Sequence, residues 1–135
     1  MLEDSIGEFR VKYGETAGKI WAALNKKAPL RKQDLLKITR LNDSDFHIGV
    51  GWLAREDKIL EDSEGYYKLD NTNLTSIIGA NAGRIWKIID IWGEVEFSTI
   101  KRLTDKDDEE VYSALGWLAK EGKICVNERK RYTLK

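Results

Sequence analysis

The chain contains an internal repeat. The segment GWLAREDKI at residues 51–59 returns as GWLAKEGKI at residues 116–124, 65 positions later. With that shift and no gap, 16 of the 57 pairs formed by residues 14–70 and 79–135 are identical. Domains of about 60 residues can fold alone, whereas a solenoid requires about three or more repeats. The repeat therefore predicts two copies of one small domain in tandem.

The repeat also sets the domain boundaries. They are an N-terminal extension (residues 1–13), a first domain (14–70), a linker rich in Asn and Thr (71–81) and a second domain (79–135) whose start overlaps the linker. In the extension, Phe9, Val11 and Tyr13 alternate with polar residues. Because alternation with a period of two is typical of a half-buried strand, the extension is expected to form an edge strand.

The apolar spacing changes in the same order in both domains. In the first domain Ala17, Ile20, Trp21 and Leu24 have the i, i+3, i+4, i+7 spacing of one helical face. Their equivalents in the second domain repeat this spacing, so a first helix is predicted in each domain, with Trp21 and Trp86 in the core. A short extended link and a second, shorter helix are expected to follow it.

The third helix of each domain has a recognisable start. Asn42 is followed three residues later by Asp45, and Asp107 by Glu110, as in a capping box. After this helix, two short β-favouring runs flank a polar turn, which indicates a hairpin. Three helices closed by a hairpin form a winged helix-turn-helix. The predicted fold class is therefore mainly α with small β-hairpin wings (α+β), as tandem winged helix-turn-helix domains.

Three segments carry a resemblance to a known family. They are LGWLAKEGKI, the upstream AGRIW and the acidic DDEEVY. Through them the sequence resembles the small winged helix-turn-helix domain family of uncharacterised bacterial and archaeal proteins, here as a tandem duplication where a single unit would be usual. The resemblance covers both domains, and it implies the shape of DNA-binding regulators without an assigned function.

Composition excludes several classes of protein. Basic and acidic residues number 23 each, so the chain lacks the overall positive field of many nucleic-acid binders. The only histidine, His47, and the only cysteine, Cys125, supply neither a set of metal ligands nor a nucleophile with its base, and both are interpreted as structural. We expect no catalysis, cofactor, metal or small-molecule substrate. Since no apolar run could span a membrane and no signal peptide is visible, the protein is expected in the cytoplasm.

The first functional hypothesis is a regulator-like module that contacts double-stranded DNA. The third helix, which commonly enters the major groove, begins with acids in both domains, so deep insertion is not expected. Weak contact with the phosphate backbone is expected instead from a basic wing in the second domain and a basic face in the first. These residues are Arg129, Lys130 and Arg131 in the wing, and Lys26, Lys27, Arg31, Lys32, Lys37 and Arg40 in the face.

The alternative hypothesis is a protein-interaction adaptor or dimerisation module. It rests on two Gly-Trp pairs in the third helices, Gly51 with Trp52 and Gly116 with Trp117. A glycine in a helix interior costs about 1 kcal/mol relative to alanine, which indicates close approach by another backbone or ring. The cover is expected to be the wing, the other domain or a partner chain, and contact between the two domains through these pairs is the specific prediction.

Overall fold

Each half of the chain folds into three helices and a small antiparallel sheet. The structure is a computed structural model that describes residues 2–135, with side chains from residue 9 onward. The first unit contains α1 (Leu2–Lys26), β1 (Leu30–Arg31), α2 (Lys32–Thr39), α3 (Asp43–Arg55), β2 (Ile59–Glu61) and β3 (Tyr66–Leu69). The second contains α4 (Thr75–Trp92), β4 (Glu94–Val95), α5 (Phe97–Thr104), α6 (Asp108–Lys120), β5 (Ile124–Val126) and β6 (Tyr132–Leu134). The predicted fold class is confirmed.

The extended link after the first helix becomes part of the sheet. The strand order is β1-β3-β2 in the first unit and β4-β6-β5 in the second, with antiparallel pairing throughout. Leu30 pairs with Tyr67, and Val95 pairs with Tyr132 at the equivalent position. Because these four side chains are buried, the link ties the hairpin to the helices beneath it.

The caps of the third helices hold as predicted. The side chain of Asn42 accepts a hydrogen bond from the amide of Asp45 at 2.8 Å, and that of Asp107 accepts one from Glu110 at 2.9 Å. Asp57, two residues past the end of α3, has a left-handed φ of 60°, where the second unit uses a glycine. Its carboxylate accepts a hydrogen bond from the amide of Thr72 at 2.8 Å, so the two helices end alike despite different residues.

Each unit has a core built from equivalent positions. Among the side chains that are most completely buried are Ile20, Leu35, Phe46 and Ile59 in the first unit and their counterparts Ile85, Ile100, Val111 and Ile124 in the second. Removing a side chain of this size from water contributes about 1.5–3 kcal/mol. The conserved placement of these residues across the repeat explains why both halves adopt one architecture.

The prediction of an edge strand in residues 1–13 is wrong. These residues, from Leu2 onward, belong to α1. Phe9 and Tyr13 are four residues apart, so on a helix they share one face, and both are buried in the core of the second unit. Val11, between them, is 60% exposed. Over only five residues, a spacing of two fits all three side chains and a spacing of four fits Phe9 and Tyr13, so the pattern does not distinguish a strand from a helix.

The first helix of each unit packs its N-terminal part against the core of the other unit. Ile78, near the start of α4, is equivalent to Tyr13 in α1 and packs into the core of the first unit. Each core is therefore completed by a residue from the opposite half. The predicted linker, residues 71–81, is also too long, because α4 begins at Thr75 and its first turns carry this packing.

Candidate functional site

The third helices of the two units pack against each other in the same direction. Near their starts, Glu109 of α6 lies 3.6 Å from the His47 ring nitrogen Nε2 on α3. Near their ends, Arg55 of α3 donates a hydrogen bond of 3.1 Å to Glu121 beyond α6. Starts therefore meet starts and ends meet ends, as expected for two copies related by a pseudo-twofold axis along the helices.

Two glycines allow the helices to touch in the middle. A Cβ atom on Gly51 would overlap the carbonyl oxygen of Ser113 and lie 2.7 Å from its carbonyl carbon. A Cβ atom on Gly116 would meet the carbonyl group of Ile48 in the same way, 2.8 Å from the carbonyl carbon. Ser113 and Ile48 occupy equivalent positions in the repeat, so the two close approaches are symmetric. Backbone contact at this point leaves no space for any side chain.

The two tryptophans flank this crossing. Trp52 and Trp117 both pack against the cores of both units. On one side each ring covers a glycine of its own first helix, because a Cβ on Gly14 would lie 3.3 Å from Trp52 and one on Gly79 3.4 Å from Trp117. The four residues of the Gly-Trp pairs thus lie between the two units of one chain.

Charged groups from the opposite unit lie over these rings. Lys120 Nζ lies 5.5 Å from the ring centroid of Trp52, and the guanidinium carbon of Arg55 lies 5.7 Å from that of Trp117. Lys120 also lies 3.8 Å from a carboxylate oxygen of Glu56. Cation–π contacts of this kind contribute about 0.5–1 kcal/mol each at partly exposed sites.

Comparison with known families identifies the domain. The family model described as winged helix-turn-helix domain (DUF2582) matches residues 1–69 and again residues 72–134. The chain belongs to this winged helix-turn-helix family. The double match confirms the tandem duplication, and it includes residues 1–13 in the first copy. Comparisons with curated proteins and with solved structures give no match.

A winged helix-turn-helix commonly places its third helix in the major groove of DNA. In this tandem, α3 is buried from Phe46 to Gly51, and α6 is buried from Ser113 to Gly116. At Gly51 and Gly116 the middle of each third helix faces the other unit, while Asp43 and Glu109 in the first turns remain exposed. None of the helices in residues 2–135 has both the length and the apolar character needed to cross a membrane.

The acids at the starts of α3 and α6 stabilise this arrangement. Two helix N-termini side by side bring together two partial positive charges, which carboxylates offset. Nearby lysines in turn neutralise the carboxylates. Lys101 lies 2.7 Å from Asp108, and Lys32 forms ion pairs with Asp43 of its own unit and, at 3.0 Å, with Glu109 of the other unit. The acidic starts thus have a structural role within the winged helix-turn-helix pair.

The predicted basic wing is only partly available. Arg129 and Lys130 are exposed at the turn between β5 and β6, where Lys130 has a left-handed φ of 60°. Arg131 instead binds two acids of its own unit, Glu94 at 2.9 Å and Glu96 at 3.4 Å. These contacts direct its guanidinium towards its own sheet.

The predicted basic face of the first unit divides into two sets. Lys26, Lys27, Lys37 and Arg40 are exposed, and none forms an ion pair with the side chains described from residue 9 onward. The other two residues are engaged, Lys32 by the acids described above and Arg31 by Tyr66, whose ring centroid lies 4.5 Å from the guanidinium carbon. Only the first set is free to contact a ligand.

Two lysines that the sequence analysis does not select extend this face along α1. Lys12, Lys19 and Lys26 are seven residues apart, so two helical turns return each to within about 20° of the same direction. At 1.5 Å per residue they span about 21 Å. All three are exposed, and we call them the basic stripe; Glu15 is the one acid on this face from residue 9 onward.

The basic stripe connects the two surfaces that the sequence analysis treats separately. Lys12 and Lys130 line one open pocket of about 440 Å³, where α1 meets the wing of the second unit. Lys19 and Lys26 line another pocket beside Ile38 of α2. The wing of the second unit and the basic face of the first therefore lie at the two ends of one helix face.

The equivalent face of α4 has a different chemistry. Ile77, Arg84 and Ile91 occupy the positions of the three stripe lysines. The side chains of Ile77 and Ile91 are 59% and 79% exposed. One unit thus presents cations and the other presents mainly apolar groups on the same surface of the fold.

Trp21 and Trp86 are not core residues, contrary to the prediction. Their side chains are 40% and 36% exposed. Each lies beside the tryptophan of the third helix in a shallow pocket, Trp21 with Trp52 and Trp86 with Trp117. A large ring at the edge of an apolar helical stripe is rarely covered completely, because neighbouring elements reach only the centre of the stripe.

Proposed function

We propose that the protein is a non-catalytic module of the cytoplasm that binds the phosphate backbone of double-stranded DNA through the basic stripe and the wing of the second unit. The third helices serve instead to hold the two winged helices together. The observation that carries this proposal is the run of exposed cations formed by Lys12, Lys19, Lys26 and Lys130, none of which forms an ion pair with a side chain described from residue 9 onward. The proposed binding does not include the reading of a base sequence by a helix in the major groove.

The charge pattern supports backbone contact over sequence readout. Double-stranded DNA carries about one negative charge per 1.7 Å of axis, so a stripe about 21 Å long faces many phosphates whatever the sequence. Lysine ammonium groups act as point charges, which suits phosphate contact and carries no direct sequence information. The full chain has a net charge of zero. Among the side chains described from residue 9 onward, most acids at the starts of the third helices are paired with lysines, while the lysines of the stripe are not.

The proposal is tested by the salt dependence of DNA binding. Fluorescence anisotropy of a labelled random duplex is recorded at a series of salt concentrations for the whole chain. Each neutralised phosphate contributes about 0.9 to the slope of log K against log salt, so four to six contacts predict a slope of about 3.5–5.5. The triple variant Lys12→Glu, Lys19→Glu, Lys26→Glu is expected to lose binding.

A matched control separates a local surface from total charge. The variant Lys68→Glu, Lys87→Glu, Lys123→Glu makes the same change in net charge at three exposed lysines outside the stripe. It is expected to bind with nearly the wild-type slope. Equal losses in both triple variants would show that only overall charge matters. No binding of the wild type at low salt would refute the proposal and favour a protein partner.

The alternative of a protein contact through the third helices requires the two units to separate. Gly51 and Gly116 lie at the backbone contact between the units, and Trp52 and Trp117 fill the space around it. A partner chain using these residues must displace one unit from the other. Size-exclusion chromatography of mixtures with a candidate partner, with and without Gly51→Ala, would detect such an exchange.

A further inference from the structure

Three metal-binding side chains converge where the starts of α3 and α6 meet. Asp43 and His47 are one turn apart on α3, and Glu109 comes from α6 of the other unit. The His47 Nε2 atom lies 3.9 Å from an oxygen of Asp43 and 3.6 Å from an oxygen of Glu109. One ligand atom from each residue lies within 4.8 Å of the other two. No other group of three such side chains is this close in the described part of the chain.

The histidine nitrogen that faces this cluster has no partner. The side chain of His47 is 9% exposed, and Nε2 makes no hydrogen bond with any described residue. A buried polar atom without a hydrogen-bond partner destabilises the folded state. The Lys32 ammonium, which binds both carboxylates, donates no hydrogen bond to this nitrogen. The two carboxylates of the cluster thus bind the Lys32 ammonium, while the imidazole Nε2 has no hydrogen-bond partner.

The opposite half shows that the fold does not require this polar cluster. The positions equivalent to Lys32 and His47 are Phe97 and Tyr112, whose rings stack at a centroid distance of 4.3 Å. The position equivalent to Glu109 is Ser44. An aromatic pair therefore fills the places of the lysine and the histidine, and of the three ligands only Asp43 has a carboxylate counterpart, Asp108. Lys32 and His47 of the first unit and Glu109 of the second therefore call for an explanation beyond folding.

We propose that Asp43, His47 and Glu109 form a binding site for a divalent transition-metal ion, best suited to Zn²⁺, in which the ion displaces the Lys32 ammonium. Zinc binds imidazole nitrogen and carboxylate oxygen at about 2.0–2.2 Å, which places the ligand atoms of a tetrahedral site about 3.3–3.6 Å apart. The distances of 3.6 Å and 3.9 Å from the imidazole are near that value. Three protein ligands leave a fourth position for water.

The surroundings favour a doubly charged ion over the single charge of the lysine. Glu61 and Glu110 line the same pocket of about 190 Å³ as His47 and Glu109. With Asp43 these make four carboxylates, against the two ammonium groups of Lys32 and Lys106. Burial, and then the charge of Lys32, lower the pKa of His47, which keeps its imidazole neutral as metal coordination requires.

Metal binding at this site can be measured directly and also through the stability of the whole chain. Titration calorimetry with Zn²⁺ measures affinity and stoichiometry, and absorption spectra with Co²⁺ report tetrahedral geometry. Because the ligands come from both units, Zn²⁺ should also raise the melting temperature of the whole chain. We expect one equivalent of Zn²⁺ to bind the wild type. Lys32→Met, which removes the competing ammonium, should bind at least tenfold more tightly.

Two further variants test the ligand set. His47→Gln should weaken Zn²⁺ binding at least tenfold. The triple variant Lys32→Phe, His47→Tyr, Glu109→Ser copies the opposite half; it should remain folded by circular dichroism and bind no Zn²⁺. The proposal is overturned if neither the wild type nor Lys32→Met binds Zn²⁺, or if His47→Gln binds as tightly as the wild type. Sulfur-to-cobalt charge-transfer bands would place the ion at Cys125 and would overturn it too.

Discussion

Adding one methyl group where α3 and α6 cross should push the two helices apart and destabilise the protein. In Gly51→Ala the new Cβ would lie 2.7 Å from the carbonyl carbon of Ser113, whereas carbon atoms in contact prefer about 3.5–4.0 Å. The obstacle is backbone, so no rotamer change relieves it. The helices must part by about 1 Å, and a gap of that size forfeits a quarter to a half of the dispersion energy of each contact along the interface.

The expected cost exceeds the intrinsic preference of helices for alanine. Overpacking typically costs about 1–3 kcal/mol and more where backbone must move, while alanine gains about 1 kcal/mol over glycine in a helix. Since the overlap here involves backbone, we expect a net loss near the upper end of this difference, about 2 kcal/mol in the free energy of unfolding, or roughly 7 °C in melting temperature for a chain of this size. Urea unfolding followed by tryptophan fluorescence measures it.

The chain offers a matched control for the same substitution. Gly18 is exposed in the interior of α1, and a Cβ there would have nothing within 4 Å. Gly18→Ala should therefore stabilise the protein by up to about 1 kcal/mol. Gly51→Ala combined with Gly116→Ala should cost less than the sum of the two, because one separation of the helices relieves both overlaps. If Gly51→Ala is as stable as Gly18→Ala, the proposed contact between the helices does not exist.

Three further predictions follow from individual side chains. Burial, and then the charge of Lys32, lower the pKa of His47 below its ordinary value of 6.5. Between that lowered pKa and 6.5 the unfolded state binds more protons than the folded state, so the free energy of unfolding should decrease as the pH falls through this interval. Urea titrations of His47→Gln should show a smaller decrease. Phe9→Ala should lose about 2–4 kcal/mol, while Val11→Ala should change stability by less than about 0.5 kcal/mol, as chemical denaturation can measure; equal effects would contradict the helical start of α1. Asp57→Ala should melt below Asp57→Gly in calorimetry, because both variants lose the hydrogen bonds from Thr72 and Asn71 but only glycine adopts the left-handed φ without strain; the reverse order would show that backbone strain does not decide this turn.

Local signals suffice to predict most of the fold. Helix faces, caps and hairpins depend on residues a few positions apart, and the repeat tests each interpretation twice. The start of α1 is different, because Phe9 and Tyr13 are helical residues whose partners lie in the other unit. A short window contains no information about a surface that is contributed by another half of the chain, so a spacing of two appears as plausible as a spacing of four.

The candidate sites are predictable in proportion to how local they are. The glycine of each Gly-Trp pair costs stability in an isolated helix, and that cost already indicates a close approach at this point. The seven-residue spacing of Lys12, Lys19 and Lys26 is also visible in the sequence, but it crosses the boundary drawn at residue 13. The meeting of His47 with Glu109 depends on how two distant helices dock, and neither helix alone contains a signal for it.

Joining the two copies in one chain frees each from the other. In a symmetric homodimer every substitution appears twice, so a surface that gains a lysine gains it on both sides of the axis. Here the twofold framework of α3 and α6 persists, while the stripe on α1 is cationic and its counterpart on α4 is mainly apolar. A duplicated gene can thus keep the geometry of a dimer and give its two halves different surfaces, because a substitution in one half leaves the equivalent residue of the other half unchanged.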